Sequence, residues 1–273
     1  MTTDPAAARL TGDYVCPACK GPLQRDELVL RCVTCRKAYP ANGGIPDFLL
    51  EDLATSSDPV LRRMRTIDRM ARLYETRLWY PIVLKLFGGA AAPSLEQLVR
   101  QMARTLEPVK GRVLDVACGP GTFGRHVASP SREVYGVDVS MGMLRQGAAY
   151  AAKEDISNIR FARTRVESLP FVDAWFDAAI CCGSLHLFAD TTIALREIAR
   201  VKKPAGVLSS YTFAAGRGGI LRFRKMREWY RSEHGLHVFD LDELEGCLSA
   251  AGFTSFRPQL FGSLLAFNAR KAA

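Results

Sequence analysis

The sequence predicts an α/β protein: a Rossmann-like, seven-stranded sheet whose last strand runs antiparallel, with a small zinc ribbon ahead of it. Three observations carry this. The stretch Val113-Leu-Asp-Val-Ala-Cys-Gly-Pro-Gly-Thr-Phe-Gly124, followed by Val134-Tyr-Gly-Val-Asp-Val139, reads as strand, glycine-rich turn, helix and second strand, which is a parallel βαβ unit. Apolar runs near 112–118, 133–138, 159–164, 176–182, 206–213, 255–261 and 263–270 read as strands, with helices alternating with the first five. Only Gly262-Ser263 joins the last two runs, so they form a hairpin and add an antiparallel neighbour. Third, Cys16-Pro-Ala-Cys19 and Cys32-Val-Thr-Cys35 are two C-x-x-C knuckles in a short, loop-rich stretch.

The chain divides into a flexible tail at 1–13, the ribbon at 14–50, a helical linker or cap at 51–109 and the sheet domain at 110–273, with a lid insertion at about 214–239. Of 273 residues, 48% are hydrophobic, which suits a soluble protein with a sizeable core. The formal charge of +9 fits nucleic acid, an anionic substrate or an acidic partner, and equally a generally basic, solvated surface. No apolar run approaches the roughly 18 residues of a membrane span, and the start Met1-Thr-Thr-Asp-Pro lacks the basic and apolar pattern of a signal peptide. A cytoplasmic, reducing setting is expected, with the eight cysteines as thiols or metal ligands.

In the ribbon, each knuckle turns two thiolates toward one point, so Cys16, Cys19, Cys32 and Cys35 are expected to complete a tetrahedron for Zn2+; the alternatives are a redox C-x-x-C pair or a degenerate site that has lost its metal. Four cysteines leave no open coordination position, so the metal is structural. A core this small needs it to fold. Further on, Leu61, Met64, Ile67, Ala71, Tyr74 and Leu78 step as on one helix face among six arginines, Pro81 interrupts that helix, and Ser94-Leu-Glu-Gln97 is a capping box for the next.

In the sheet domain, Gly119 and Gly121 let the backbone approach a ligand closely. Asp138 ends the second strand about 20 residues later, where a carboxylate can accept two ribose hydroxyls. A pocket for a nucleoside-containing cofactor follows. NAD and S-adenosylmethionine (SAM) both suit it, since Gly119-x-Gly121-x-x-Gly124 also matches the dinucleotide pattern formally.

The wording Asp115-Val-Ala-Cys-Gly-Pro-Gly121 resembles motif I of the class I SAM-dependent methyltransferases, D-x-x-C-G-x-G. The segment from Phe176 through Gly183-Ser-Leu-His186, Ala194-Leu-Arg-Glu-Ile-Ala-Arg-Val201 and Pro204-Ala-Gly206 is similar to the branch that includes ubiquinone-pathway enzymes. Cys16-Pro-Ala-Cys19-Lys-Gly-Pro-Leu23 with Tyr39-Pro40 and Gly44-Ile-Pro-Asp-Phe-Leu49 resembles the zinc-ribbon protein that activates tRNA and protein methyltransferases. The resemblance implies cofactor contacts at Asp115, Ala117, Gly119, Gly121, Asp138, Val139, Met143, Val166, Cys182 and Gly183, with Met143 beside the adenine. Arg165 stands where the family has an aspartate that accepts from the adenine amino group; arginine has no acceptor, so the backbone of Val166 takes that place.

His186, at the exit of the fourth strand, is a candidate general base with a pKa expected near working pH; the alternative is a histidine hydrogen-bonded at a strand end. The pair Cys181-Cys182 reads as small buried residues rather than nucleophiles. Gly216-Arg-Gly-Gly219 is a candidate hinge before a helix in which Phe223, Met226 and Tyr230 share a face; the resemblance implies a substrate lid here, while aromatics among Arg222, Arg224, Lys225 and Arg231 also suit nucleic acid, and the alternative to both is an amphipathic helix docked on the domain. The expected function is methyl transfer to a small hydrophobic or aromatic acceptor. The alternatives are an rRNA guanine methyltransferase and a non-catalytic zinc- and SAM-binding module.

Overall fold

A computed structural model of the chain describes residues 12–26, 28–50 and 78–272. The expected Arg-rich helix over 61–78 lies, but for Leu78, outside the described residues, as does most of the expected tail.

The seven-stranded sheet is present with its final strand antiparallel. The first four strands, β1 (Leu23–Asp26), β2 (Val29–Cys32), β3 (Ala38–Asn42) and β4 (Ile45–Pro46), form a separate antiparallel sheet in the ribbon. There follow α1 (Trp79–Val83), which runs on as a π-helical turn over Leu84–Gly88, and α2 (Leu95–Leu106). The large sheet is built from β5 (Gly111–Val116), α3 (Thr122–Val127), β6 (Arg132–Asp138), α4 (Met141–Lys153), β7 (Ile159–Arg163), β8 (Phe176–Cys182), α5 (Thr191–Val201), β9 (Lys202–Phe213), α6 (Arg224–His234), α7 (Leu241–Ala250), β10 (Phe253–Phe261) and β11 (Leu264–Lys271). Strand order is β10-β11-β9-β8-β5-β6-β7. The pairs β5–β6, β6–β7, β5–β8 and β8–β9 are parallel, and β11 runs antiparallel to both β9 and β10.

Central strands buried on both faces read as continuous apolar runs. In β5, Leu114 and Val116 point into one core with Tyr135, Val137 and Ile198, while Val113 points into the other with Met102, Leu106 and Val127. The capping box opens α2: Ser94 Oγ accepts from the Gln97 N–H at 3.2 Å, and Gln97 Oε1 accepts from the Ser94 N–H at 2.8 Å. Its stripe of Leu98, Val99, Met102 and Leu106 is buried against the sheet.

Two local expectations differ from the structure. Pro81 occupies the first turn of α1, where a helix has no intrahelical use for the missing N–H. Strand β9 begins at Lys202, ahead of the expected 206, and Pro204-Ala-Gly206 forms a register shift within it, with Ala205 at φ +57°.

The ribbon docks on the β7 edge of the sheet. The Val15 N–H donates to Pro170 O at 2.9 Å and the Phe48 N–H to Arg163 O at 2.8 Å. Tyr14 packs with Phe48 and Phe171 at centroid distances of 5.4 Å each, joining the two cores. A buried ion pair, Asp47 Oδ2 to Arg163 Nη1 at 2.9 Å, closes the contact, and Arg163 Nε donates to Val139 O at 2.8 Å.

Candidate active site

At the carboxyl ends of the parallel strands, where open α/β sheets bind ligands, a pocket is lined by Ala117, Gly119, Asp138, Val139, Met143, Val166, Cys182 and Gly183. These eight of the ten proposed cofactor contacts converge from the ends of β5, β6, β7 and β8. The loop that begins the pocket is conformationally special. Ala117 (φ +49°), Gly119 (φ +55°) and Gly121 (φ +71°) all stand in the left-handed region, which is costly for the alanine. A Cβ on Gly119 would meet nothing within 4 Å, so its need for glycine is conformational and its Cα faces open space.

Asp138 braces the loop. Its Oδ2 accepts from the Gly119 N–H at 2.9 Å and its Oδ1 from the Ser140 N–H at 2.8 Å. Ser140 Oγ in turn caps α4 by accepting from the Met143 N–H at 3.0 Å, which fixes Met143 in the pocket wall.

Two proposed contacts lie elsewhere. Asp115 is buried beneath the loop, where its Oδ2 accepts from the Gly124 N–H at 3.0 Å; a Cβ on Gly124 would come within 2.6 Å of that oxygen. Burial pushes its carboxyl up to about 8, the Gly124 N–H opposing and the Asp138 charge adding to the shift. Asp115 therefore supports the pocket from outside it. Gly121 is also behind the lining, packed on Phe161. Arg125, which sequence reasoning missed, is buried in the same layer: it donates to Pro120 O, pairs with Glu154 at 3.0 Å and stacks on Tyr150.

Beside Val166, Arg165 and Glu167 both line the pocket, 3.5 Å apart. Glu167 brings to this wall the acceptor that Arg165 lacks. Desolvation pushes the thiols of half-buried Cys118 and Cys182 well above their ordinary value, and that of buried Cys181 to about 12, which disfavours the thiolate at all three.

A second cavity, of about 400 Å³, adjoins the first and shares Tyr80, Phe123, Cys182, Gly183 and Leu187 with it. Aromatic and aliphatic side chains from α1, α2, β9 and the 214–239 segment make its walls, Trp79, Phe87, Leu98, Tyr211, Phe213 and Tyr230 among them. No charged side chain stands among its described lining residues. Tyr80, also missed, bridges the cavities; its hydroxyl donates to Thr122 Oγ1 at 3.3 Å.

His186 lies in the wall of this second cavity. It is buried, with Nδ1 3.3 Å from Thr212 Oγ1 and its ring edge-on to Phe213. Burial lowers its pKa to about 4, so the expected value near working pH is corrected: an apolar wall disfavours the imidazolium. The candidate hinge glycines are packed backbone against backbone. A Cβ on Gly218 would overlap Gly88 O, and Ser263 Oγ donates to Gly218 O at 2.8 Å. These glycines thus clamp three segments together instead of forming an open hinge.

In the ribbon, the four cysteine sulfurs lie within 4.8 Å of one another, with Cys16–Cys35 at 3.6 Å and Cys19–Cys32 at 3.4 Å. A tetrahedral zinc with Zn–S near 2.3 Å needs sulfurs roughly 3.8 Å apart, so the donor set fits. Both knuckles end on a left-handed residue, Lys20 and Arg36, whose N–H donates back to Cys16 O and Cys32 O.

Residues 113–206 match the methyltransferase-domain family and residues 15–44 the Trm112p-like family. The chain carries a methyltransferase domain, and the relatives it matches over most of its length are named methyltransferases. An uncharacterized chloroplastic methyltransferase of Arabidopsis thaliana is 26% identical to it over 94% of this chain and 78% of that protein. The demethylmenaquinone methyltransferase of Corynebacterium kroppenstedtii is 36% identical over 44% of this chain and half of its own length. In fold, this methyltransferase is similar to Haemonchus contortus phosphoethanolamine N-methyltransferase 2 solved with SAM, at a TM-score of 0.60 and 18% identity over 76% of this chain and 60% of that one. Among the described residues of the methyltransferase, no helix is long and apolar enough to cross a membrane.

Proposed function

We propose that this methyltransferase moves a methyl group from SAM to a hydrophobic small-molecule acceptor held in the cavity beside the cofactor pocket. The observation that carries the reading is the chemistry of that cavity: large, aromatic and without a charged side chain among its described lining residues. A guanine edge requires several fixed donors and acceptors, and burying it without them costs more than apolar contact returns. Here Tyr211 already spends its hydroxyl on Leu98 O. The identities with a demethylmenaquinone methyltransferase, and with the malonyl-[acyl-carrier protein] O-methyltransferase of Pseudescherichia vulneris at 34%, support a non-nucleic-acid acceptor.

In this reading Asp138 would hold the ribose hydroxyls, Met143 and Val166 the adenine faces, Glu167 the amino group, and the backbone from Ala117 to Gly119 the methionine part. When bound, SAM supplies a methyl group already activated on a sulfonium. The chain's part is alignment: Tyr80, Phe123 and Cys182, common to both cavities, stand where the acceptor atom must meet the methyl carbon in line. The apolar walls exclude water. Neutral His186 accepts a proton only weakly, so the acceptor is one that is ionised or nucleophilic without a strong base. Structural Zn2+ at Cys16, Cys19, Cys32 and Cys35 would hold the ribbon on the β7 edge behind Val139.

The test is incubation of the zinc-loaded enzyme with methyl-labelled SAM and separated organic-soluble and RNA fractions of a cell extract. Label is expected in the organic-soluble fraction; label in rRNA contradicts the proposal.

A further inference from the structure

Helix α1 with its π-helical extension has an inner and an outer face, and both are apolar. The inner residues Tyr80, Val83, Leu84 and Phe87 line the second cavity. The outer residues Leu78, Ile82 and Leu86, spaced four apart, are 69%, 57% and 44% exposed. Across the cavity, the lid repeats the arrangement. Leu221 and Tyr230 face inward, while Phe223 and Trp229 are 51% and 45% exposed. The two elements touch through Phe87 and Tyr230, whose rings are 5.4 Å apart, so the five exposed side chains flank one cavity.

Single exposed apolar residues need no explanation, but a group of large ones beside an apolar cavity does. Charge identifies what covers it. Lys85, Arg217, Arg222, Arg224, Lys225 and Arg231 are exposed on the same two segments, against only Glu228 and Glu233. An aromatic and aliphatic face rimmed by lysine and arginine matches the boundary of an anionic bilayer, where apolar side chains enter the acyl region and cations meet the headgroups.

We propose that the outer faces of α1 and the lid dock reversibly on an anionic membrane surface, and that the cavity between them takes its acceptor from the bilayer. The second half of this statement rests on the hydrophobic-acceptor reading above; the docking itself does not. The acceptor class narrows to amphiphiles whose reactive headgroup fits the cavity while the tail stays in lipid.

The experiment is flotation of the full zinc-loaded chain with phosphatidylcholine vesicles, alone or mixed three to one with phosphatidylglycerol, read in parallel by tryptophan emission, to which Trp229 contributes alongside Trp79 and Trp175. The chain is expected to float with the anionic vesicles, with a blue shift, and to be released by high salt. Lys225→Gln and Arg231→Gln should each lower vesicle affinity by about fivefold. Phe223→Glu with Trp229→Glu, and separately Ile82→Glu with Leu86→Glu, should abolish flotation while leaving the heat of SAM binding unchanged, since these side chains are outside both cavities. The proposal is overturned by a SAM-binding wild type that does not float, by equal binding to phosphatidylcholine alone, or by acidic variants that float as well as wild type. It is also overturned if sedimentation shows the patch buried in a dimer that those variants dissociate. Flotation without any SAM binding would instead remove the proposed reaction and leave the docking surface standing.

Discussion

Breaking the ion pair between Asp47 and Arg163 probes how the ribbon and the cofactor pocket depend on each other. Both side chains are nearly buried, at 12% and 8% exposed, and meet at 2.9 Å. Asp47 also accepts from the Leu49 N–H at 3.1 Å, and Arg163 also donates to Val139 O. Removing one partner leaves a buried charge uncompensated, so Asp47→Ala or Arg163→Met alone should each cost about 3–5 kcal/mol. Removing both leaves no orphan charge. The double variant should therefore lose less than the two singles together, with a coupling of about 2 kcal/mol or more. Urea unfolding of the four proteins measures it. Because Arg163 positions Val139 in the pocket wall, Asp47→Ala should also weaken SAM binding by about fivefold, a transmitted effect near 1 kcal/mol. A coupling below about 0.5 kcal/mol, with SAM affinity unaltered, would refute the idea that the ribbon supports the pocket.

Three other outcomes are expected. His186 has a pKa below its unfolded value, so its contribution to stability is present above about pH 6.5 and lost as pH falls toward 4; the full loss is about 3 kcal/mol, and His186→Asn should flatten denaturation curves over that window. Asp115 has the opposite sign: its folded pKa, raised from 3.8 to about 8, means that folding favours the protonated acid, so stability declines as pH rises through that range, and Asp115→Asn should remove the slope in thermal melts between those limits. Native mass spectrometry should find one zinc per chain, and chelation or Cys32→Ser should lower the melting temperature of the sheet domain as well as the ribbon, since Tyr14 and Phe48 share a core with Tyr135 and Phe171.

Local chemistry was legible in the sequence, and convergence was not. The loop from Ala117 to Gly121 and the two knuckles announce themselves because glycine and cysteine have few other reasons to recur at such spacing. The hairpin over Gly262-Ser263 and the capping box at Ser94 were readable for the same reason. Asp47 and Arg163, by contrast, are 116 residues apart in the chain and meet only once the ribbon has docked. Tyr80 reaches Thr122 across 42 residues. The carboxylate of Asp115 lies behind the loop, on the Gly124 N–H, and a motif records which residue is present, not which side of the loop its carboxylate takes. The pKa of His186 depends on the apolar wall that β9 and the lid assemble around it, which no window of sequence displays.

Isothermal titration of the metal-loaded protein with SAM and with its demethylated product S-adenosylhomocysteine, alongside Asp138→Ala, tests the cofactor pocket most directly. Both ligands should bind the wild type at one site per chain. The variant, which loses the proposed ribose acceptor and the brace from Gly119 and Ser140, should bind at least tenfold more weakly, the size of about 1.5–3 kcal/mol for hydrogen bonds to a charged group. Heat from NAD but none from either sulfur ligand, or equal affinity in the variant, would contradict the assignment of this pocket to an adenosyl sulfonium.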